Sequence, residues 1–96
     1  MVTYSEPIDL FYLMAKPLNR KITEPVAELK KLGIRIKSLR LKKGYSSYEY
    51  FAYDHNISRA QYGRYEKGMD LRYSSLIKVI KAFEMTVEEF FSEGFE

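Results

Sequence analysis

The segment Ser58-Arg59-Ala60-Gln61-Tyr62-Gly63-Arg64-Tyr65-Glu66-Lys67 carries two guanidinium groups five residues apart, on a stretch that opens with a helix-capping signal. A guanidinium presents a planar fork of donors that matches both phosphate oxygens and the O6/N7 edge of guanine. Recognition of a polyanion is therefore the chemistry these residues suit best. Lys67 extends the positive charge, and Lys42 and Lys43 add to it from the preceding segment. Residues 29 to 68 hold ten Lys or Arg against three acids, whereas residues 82 to 96 hold five glutamates and no base. This asymmetry points to a polyanion-facing centre and an end turned away from it.

Catalytic chemistry finds little to work with. There is no cysteine and a single histidine, so a thiolate metal site, a disulfide framework and a metal or cofactor constellation are not expected. His55 follows Tyr48, Phe51 and Ala52 at i, i+3, i+4 and i+7, the pattern of one packed helical face, and reads as a partly buried spacer. No nucleophile–base pair and no glycine-rich phosphate loop accompanies it, so the chain is not expected to be an enzyme. No apolar run approaches the roughly 18 to 20 residues that a membrane span requires, and no signal-peptide core stands at the N-terminus. A cytoplasmic protein without membrane contact is the expectation.

The elements that position the arginines follow from spacing. Ser46 with Glu49, and Ser58 with Gln61, form two capping boxes twelve residues apart, so two short helices begin close together. Asn56 lies between them, where a residue of positive φ is wanted. This is helix-turn-helix spacing. With Ile57, Tyr62 and Tyr65 facing inward, Arg59, Ala60, Gly63 and Arg64 are expected together on the opposite surface. Ahead of the pair, a helix from about Thr23–Pro25 to Lys43 carries the core stripe Leu29, Leu32, Ile36 and Leu39, and Gly44 stops it. Leu76, Ile77, Val79, Ile80 and Phe83 mark a further helix of buried character. Thr86-Val87-Glu88-Glu89 is a third capping box, opening a short helix whose Val87, Phe90 and Phe91 close the core. Ninety-six residues, 46% of them apolar, support one such domain over residues 24–96. Residues 1–23 read as an N-terminal extension, with a short helix over Ser5–Met14 and a linker from 15 to 23.

Over residues 30 to 92 the chain resembles the Cro/C1-repressor-like, or XRE-type, helix-turn-helix family. The resemblance rests on Ile36-Lys37-Ser38-Leu39-Arg40 with Gly44 and Ser46, Phe51-Ala52, Ile57-Ser58-Arg59, Arg64-Tyr65-Glu66-Lys67-Gly68, Leu76 to Phe83, and Thr86-Val87-Glu88-Glu89-Phe90. It implies an all-α fold, a compact five-helix lambda-repressor-like DNA-binding domain, here with an N-terminal extension. Ala52 matches the small residue at the helix crossing, and Asn56 stands where the family usually has Gly. The chain departs from the pattern at Tyr62, at Gly63 within the second motif helix, and by one residue more between Gly44 and Ala52.

The resemblance implies a transcriptional regulator that reads double-stranded DNA with the helix beginning at Ser58, placed in the major groove. Arg59 and Arg64 then contact guanine or phosphate, Ser58 and Gln61 reach base or backbone, and Ala60 and Gly63 complete the face. Ser46 and Ser47 meet a phosphate at the start of the preceding helix, and Lys42, Lys43 and Lys67 add charge. Arg40 and Glu66 match positions that pair structurally, so Arg40 is not expected to read a base. A homodimer is implied, with Ile8–Met14 or Phe90, Phe91 and Phe95 as its surface. The other readings are a protein-interaction module, such as an antitoxin or anti-regulator docking a partner through its apolar N-terminal segment, and a binder of single-stranded RNA. The latter is prompted by six of nine tyrosines lying between Tyr45 and Tyr65.

Overall fold

Among the described residues, four helix ends are closed by one residue each in the left-handed region, and those residues fix where the turns between consecutive helices fall. The computed structural model describes residues 25–96. The helix over Ser5–Met14, the 15–23 linker and the Ile8–Met14 dimer surface lie outside those residues. Among the described residues there are five helices and no strand: α1 (Val26–Lys42), α2 (Tyr48–Asp54), α3 (Arg59–Glu66), α4 (Tyr73–Ala82) and α5 (Val87–Phe90). None is long and apolar enough to cross a membrane.

Gly44, Asn56, Gly68 and Glu84 have φ of 101°, 58°, 86° and 60°. Each stands just past a helix. In each case its own amide and the next one donate back to carbonyls of the last turn, as in Asn56 N to Tyr53 O at 3.2 Å and Ile57 N to Ala52 O at 2.8 Å. Asn56 thus takes the conformation its position demanded, and α2 leads into α3 by a corner of four residues. At the other ends, Ser58 caps α3 by accepting from Gln61 N, and Thr86 with Glu89 forms a reciprocal capping box on α5.

The α2 cap differs from expectation by one residue. Ser47, not Ser46, accepts from the amides of Glu49 and Tyr50. The sequence offers two adjacent serines, and Tyr45 decides between them. Its carbonyl is held by Arg40 Nη1 at 2.7 Å, and its ring meets Phe51 edge-on with centroids 5.2 Å apart, so the chain turns helical only two residues later.

The core gathers Leu32, Ile36 and Leu39 from α1, Phe51 and Ala52 from α2, Tyr62 and Tyr65 from α3, then Leu76, Val79, Ile80, Phe83 and finally Phe90. Of the trio expected to close it, only Phe90 is fully enclosed, while Val87 and Phe91 stay 38% and 40% exposed. A four-residue helix turns one side chain inward, and Phe91 packs instead on Phe95, 4.8 Å between centroids.

Part of the basic surplus of α1 is structural. Arg35 is buried, donating from Nε to Phe90 O at 2.8 Å and from Nη2 to Glu89 O at 3.1 Å, so it satisfies the Phe90 carbonyl that ends α5 and joins Ser92 at that of Glu89. Lys31 reaches Glu96 O at 3.1 Å. Where α1 crosses the end of α3 the backbones touch. A Cβ on Gly33 would lie 2.7 Å from Glu66 O and 2.9 Å from Tyr65 O.

Two glycine exchanges are expected to act in opposite directions in urea or thermal unfolding. Gly33→Ala forces backbone apart from backbone and should cost at least about 2 kcal/mol. Glu84→Gly relieves a left-handed glutamate whose side chain is 82% exposed and whose contact with Lys43 is 4.0 Å long, and should raise stability by about 0.5–1 kcal/mol.

Candidate nucleic-acid interface

The second helix of the pair, α3, presents its outer surface to solvent because its inner surface is locked at both ends. Tyr62 is fully buried and Tyr65 nearly so, and Tyr62 packs against Phe51 of α2 at 5.1 Å between centroids. At the C-terminal end Glu66 accepts from Arg40 at both carboxylate oxygens, Nε to Oε2 at 2.7 Å and Nη2 to Oε1 at 3.1 Å. The two side chains are 5% and 9% exposed. A bidentate pair this enclosed fixes direction as well as distance. Its hydrogen bond to Glu66 holds the Arg40 pKa above the usual value. Arg40 therefore ties α1 to the α1–α2 turn, through Tyr45 O, and to α3.

The Tyr62 hydroxyl is buried beside this pair without a hydrogen bond of its own. Burial first, and the nearby Glu66 carboxylate second, push its pKa far up, against the opposing influence of Arg40. The phenol stays neutral.

Arg59, Ala60, Gln61, Arg64 and Lys67 are all exposed, and neither Arg59 nor Arg64 forms an ion pair with a described residue. The two arginines are not neighbours, however. Five residues place them about 140° apart around the helix axis. Arg59 borders a depression shared with Ser47, Glu49, Tyr50 and Tyr53 of α2, whereas Arg64 borders another shared with Gln61, Asp70, Arg72 and Ser75 at the entrance to α4. Ala60 lies on the arc between them, and Gln61 lies past Arg64 on the α4 side. The expected cluster of arginines is instead a pair of flanks.

Gly63 does not belong to the exposed face. It is buried, and a Cβ there would lie 2.9 Å from Cε1 of Tyr48, whose ring also stacks near Tyr62 at 6.4 Å. The glycine makes room for an aromatic ring of α2; position 63 falls on the inner arc with Tyr62 and Glu66, which the sequence pattern allowed but did not compel. Ser46 is exposed and Ser47 half-buried, its hydroxyl engaged as the cap. Lys42 and Lys43 are exposed at the end of α1, with Lys43 4.0 Å from Glu84.

His55 donates from Nδ1 to Phe51 O, 2.8 Å away, and lies against the Phe51 ring, a packed spacer. Among the described residues no group of His, Asp and Glu could hold a metal ion. Sequence reasoning overlooked Arg72, which only the fold brings beside Arg64, and the outward tyrosines Tyr50 and Tyr53. The latter were legible, since they stand opposite Phe51 and Ala52 on a helical wheel.

A family model described as Helix-turn-helix matches residues 36–90. No curated protein and no solved structure matches the chain.

Removing Glu66 strands a buried guanidinium. Glu66→Ala is expected to cost about 3 kcal/mol or more in denaturant unfolding, while Arg40→Met combined with Glu66→Leu costs far less, because no charge is left without its partner. Equal losses in the single and double variants would refute the pairing argument.

Proposed function

The chain belongs to the Cro/C1-type helix-turn-helix family of DNA-binding regulators, and we propose that it reads duplex DNA by laying α3 in the major groove. One observation carries the reading: α3 is anchored on its inner side by Tyr62, Tyr65 and the Arg40–Glu66 pair, while Arg59, Ala60, Gln61 and Arg64 project from it unhindered. A rigid cylinder with two cationic flanks fits a groove bounded by two phosphate walls. In this arrangement Ala60, Gln61 and Arg64 meet base edges, with Ala60 suited to a thymine methyl and Arg64 to guanine. Arg59 stands between base and wall on the α2 side, where Ser58, Ser46 and Ser47 also lie.

Lys67, Lys42 and Lys43 contribute attraction rather than sequence reading, because an ammonium on a flexible stem is a point charge without a fixed fork. Gly63 acts from within, by seating Tyr48. One α3 reads only a few base pairs, so two copies on a pseudo-palindromic site, about one helical turn apart, supply the remaining specificity. An interaction module working through Ile8–Met14 rests on residues outside those described, and no observation on the described residues favours it over DNA.

Neutralising about six phosphates gives a slope of log K against log salt near −5. Gel shifts on duplex DNA, single-stranded DNA and RNA are expected to show preference for the duplex. Arg64→Ala should lose about 1–3 kcal/mol and relax selection at one base position. An affinity that is indifferent to salt, or unchanged in both Arg59→Ala and Arg64→Ala, would overturn the reading.

A further inference from the structure

Tyr50 and Tyr53 are 70% and 80% exposed. They stand one turn apart on the outer side of α2, opposite the buried Phe51 and Ala52, and contribute nothing to the core. Both border the same depression as Arg59, about 380 Å³ in volume, with Ser47 and Glu49 completing its rim. The Ser47 hydroxyl caps α2. Its oxygen accepts from the Glu49 and Tyr50 amides and its O–H remains a donor, so the donors in this hollow are the Arg59 guanidinium, two phenol hydroxyls and the Ser47 hydroxyl. A phenol combines a flat apolar ring with one neutral donor, which suits a deoxyribose face and its phosphate.

We propose that Tyr50 and Tyr53 extend the DNA interface from α3 onto α2, packing against the deoxyribose-phosphate backbone next to the base pair approached by Arg59. The inference rests on the duplex-binding reading above and deepens it. Continuity selects the occupant, because the tyrosines share one hollow with an arginine of the α3 surface. Glu49, on the same rim, opposes a phosphate electrostatically and forms no ion pair with Arg59. The contribution of the tyrosines is uncharged. Lost phenol contacts weaken binding without releasing fewer counterions, which separates them from any effect of Arg59.

The test uses the full chain and a duplex recovered from a randomised pool by selection on the wild-type protein. Affinities are measured across a salt series for Tyr50→Phe/Tyr53→Phe, Tyr50→Ala/Tyr53→Ala, Arg59→Ala and Arg64→Ala, with melting temperatures alongside. Removing the two hydroxyls is expected to weaken binding about 3- to 10-fold, and removing the rings about 10-fold or more, at unchanged salt slope and melting temperature. Arg59→Ala is expected to make the slope shallower by about one. Wild-type affinity in the tyrosine variants, with the arginine variants impaired, overturns this inference alone and leaves the patch to a protein partner. Wild-type affinity in all four variants overturns the α3 reading beneath it. A slope that changes with the tyrosines removes the claim of a neutral contact.

Discussion

Arg40 holds three parts of the domain through one guanidinium. It leaves α1, grips the Tyr45 carbonyl that opens the turn into α2, and closes bidentately on Glu66 at the end of α3. The pair is enclosed, so the Glu66 carboxylate replaces its lost water with Arg40, and Arg40 with Glu66 and the Tyr45 carbonyl. Such a pair is a poor source of net stability compared with packed hydrocarbon, but it tolerates few geometries. That intolerance is what the domain uses. The angle of α3 relative to α1 is set at a point where the two backbones already touch at Gly33, and the outward side of α3 is placed as a consequence.

The rest of the corner is built from local rules that agree with this constraint. Left-handed residues at 44, 56, 68 and 84 end α1 to α4, each two residues past the last helical one, and hydroxyl caps start α2, α3 and α5. Glycine supplies two of the four stops at no steric cost, asparagine a third, and glutamate the fourth against its preference. Because the turns are short, Tyr48 reaches across to Gly63 and Phe51 to Tyr62. The aromatic content of α2 and α3 is thus divided: some rings weld the two helices together, and others stand outside.

Charge is divided the same way. The cations of α1 look alike in the sequence, yet Arg35 terminates α5, Arg40 clamps α3, Lys31 meets the chain end, and Lys42 and Lys43 remain at the surface. A charge count over residues 29 to 68 overstates what is available to a polyanion. Within that span the exposed cations are Lys30, Lys37, Lys42 and Lys43 along and just past α1, and Arg59, Arg64 and Lys67 along and just past α3, while the glutamates of the last residues gather around α5.

The sequence by itself determined the helices, most of their stops and the main core stripe of α1, α2 and α4, because capping, left-handed φ and the 3.6-residue period act over a few residues and are written in adjacent side chains. Asn56, Ser58, Thr86 and the α1 stripe are legible for that reason. Which serine caps α2, why Gly63 is a glycine and what Arg35 does were decided only by tertiary structure. Each depends on a contact outside its own helix: Arg40 on Tyr45, the Tyr48 ring over α3, and the carbonyls of α5. Long-range contacts carry no local signature, so spacing could place these residues on a helix but could not say what they meet.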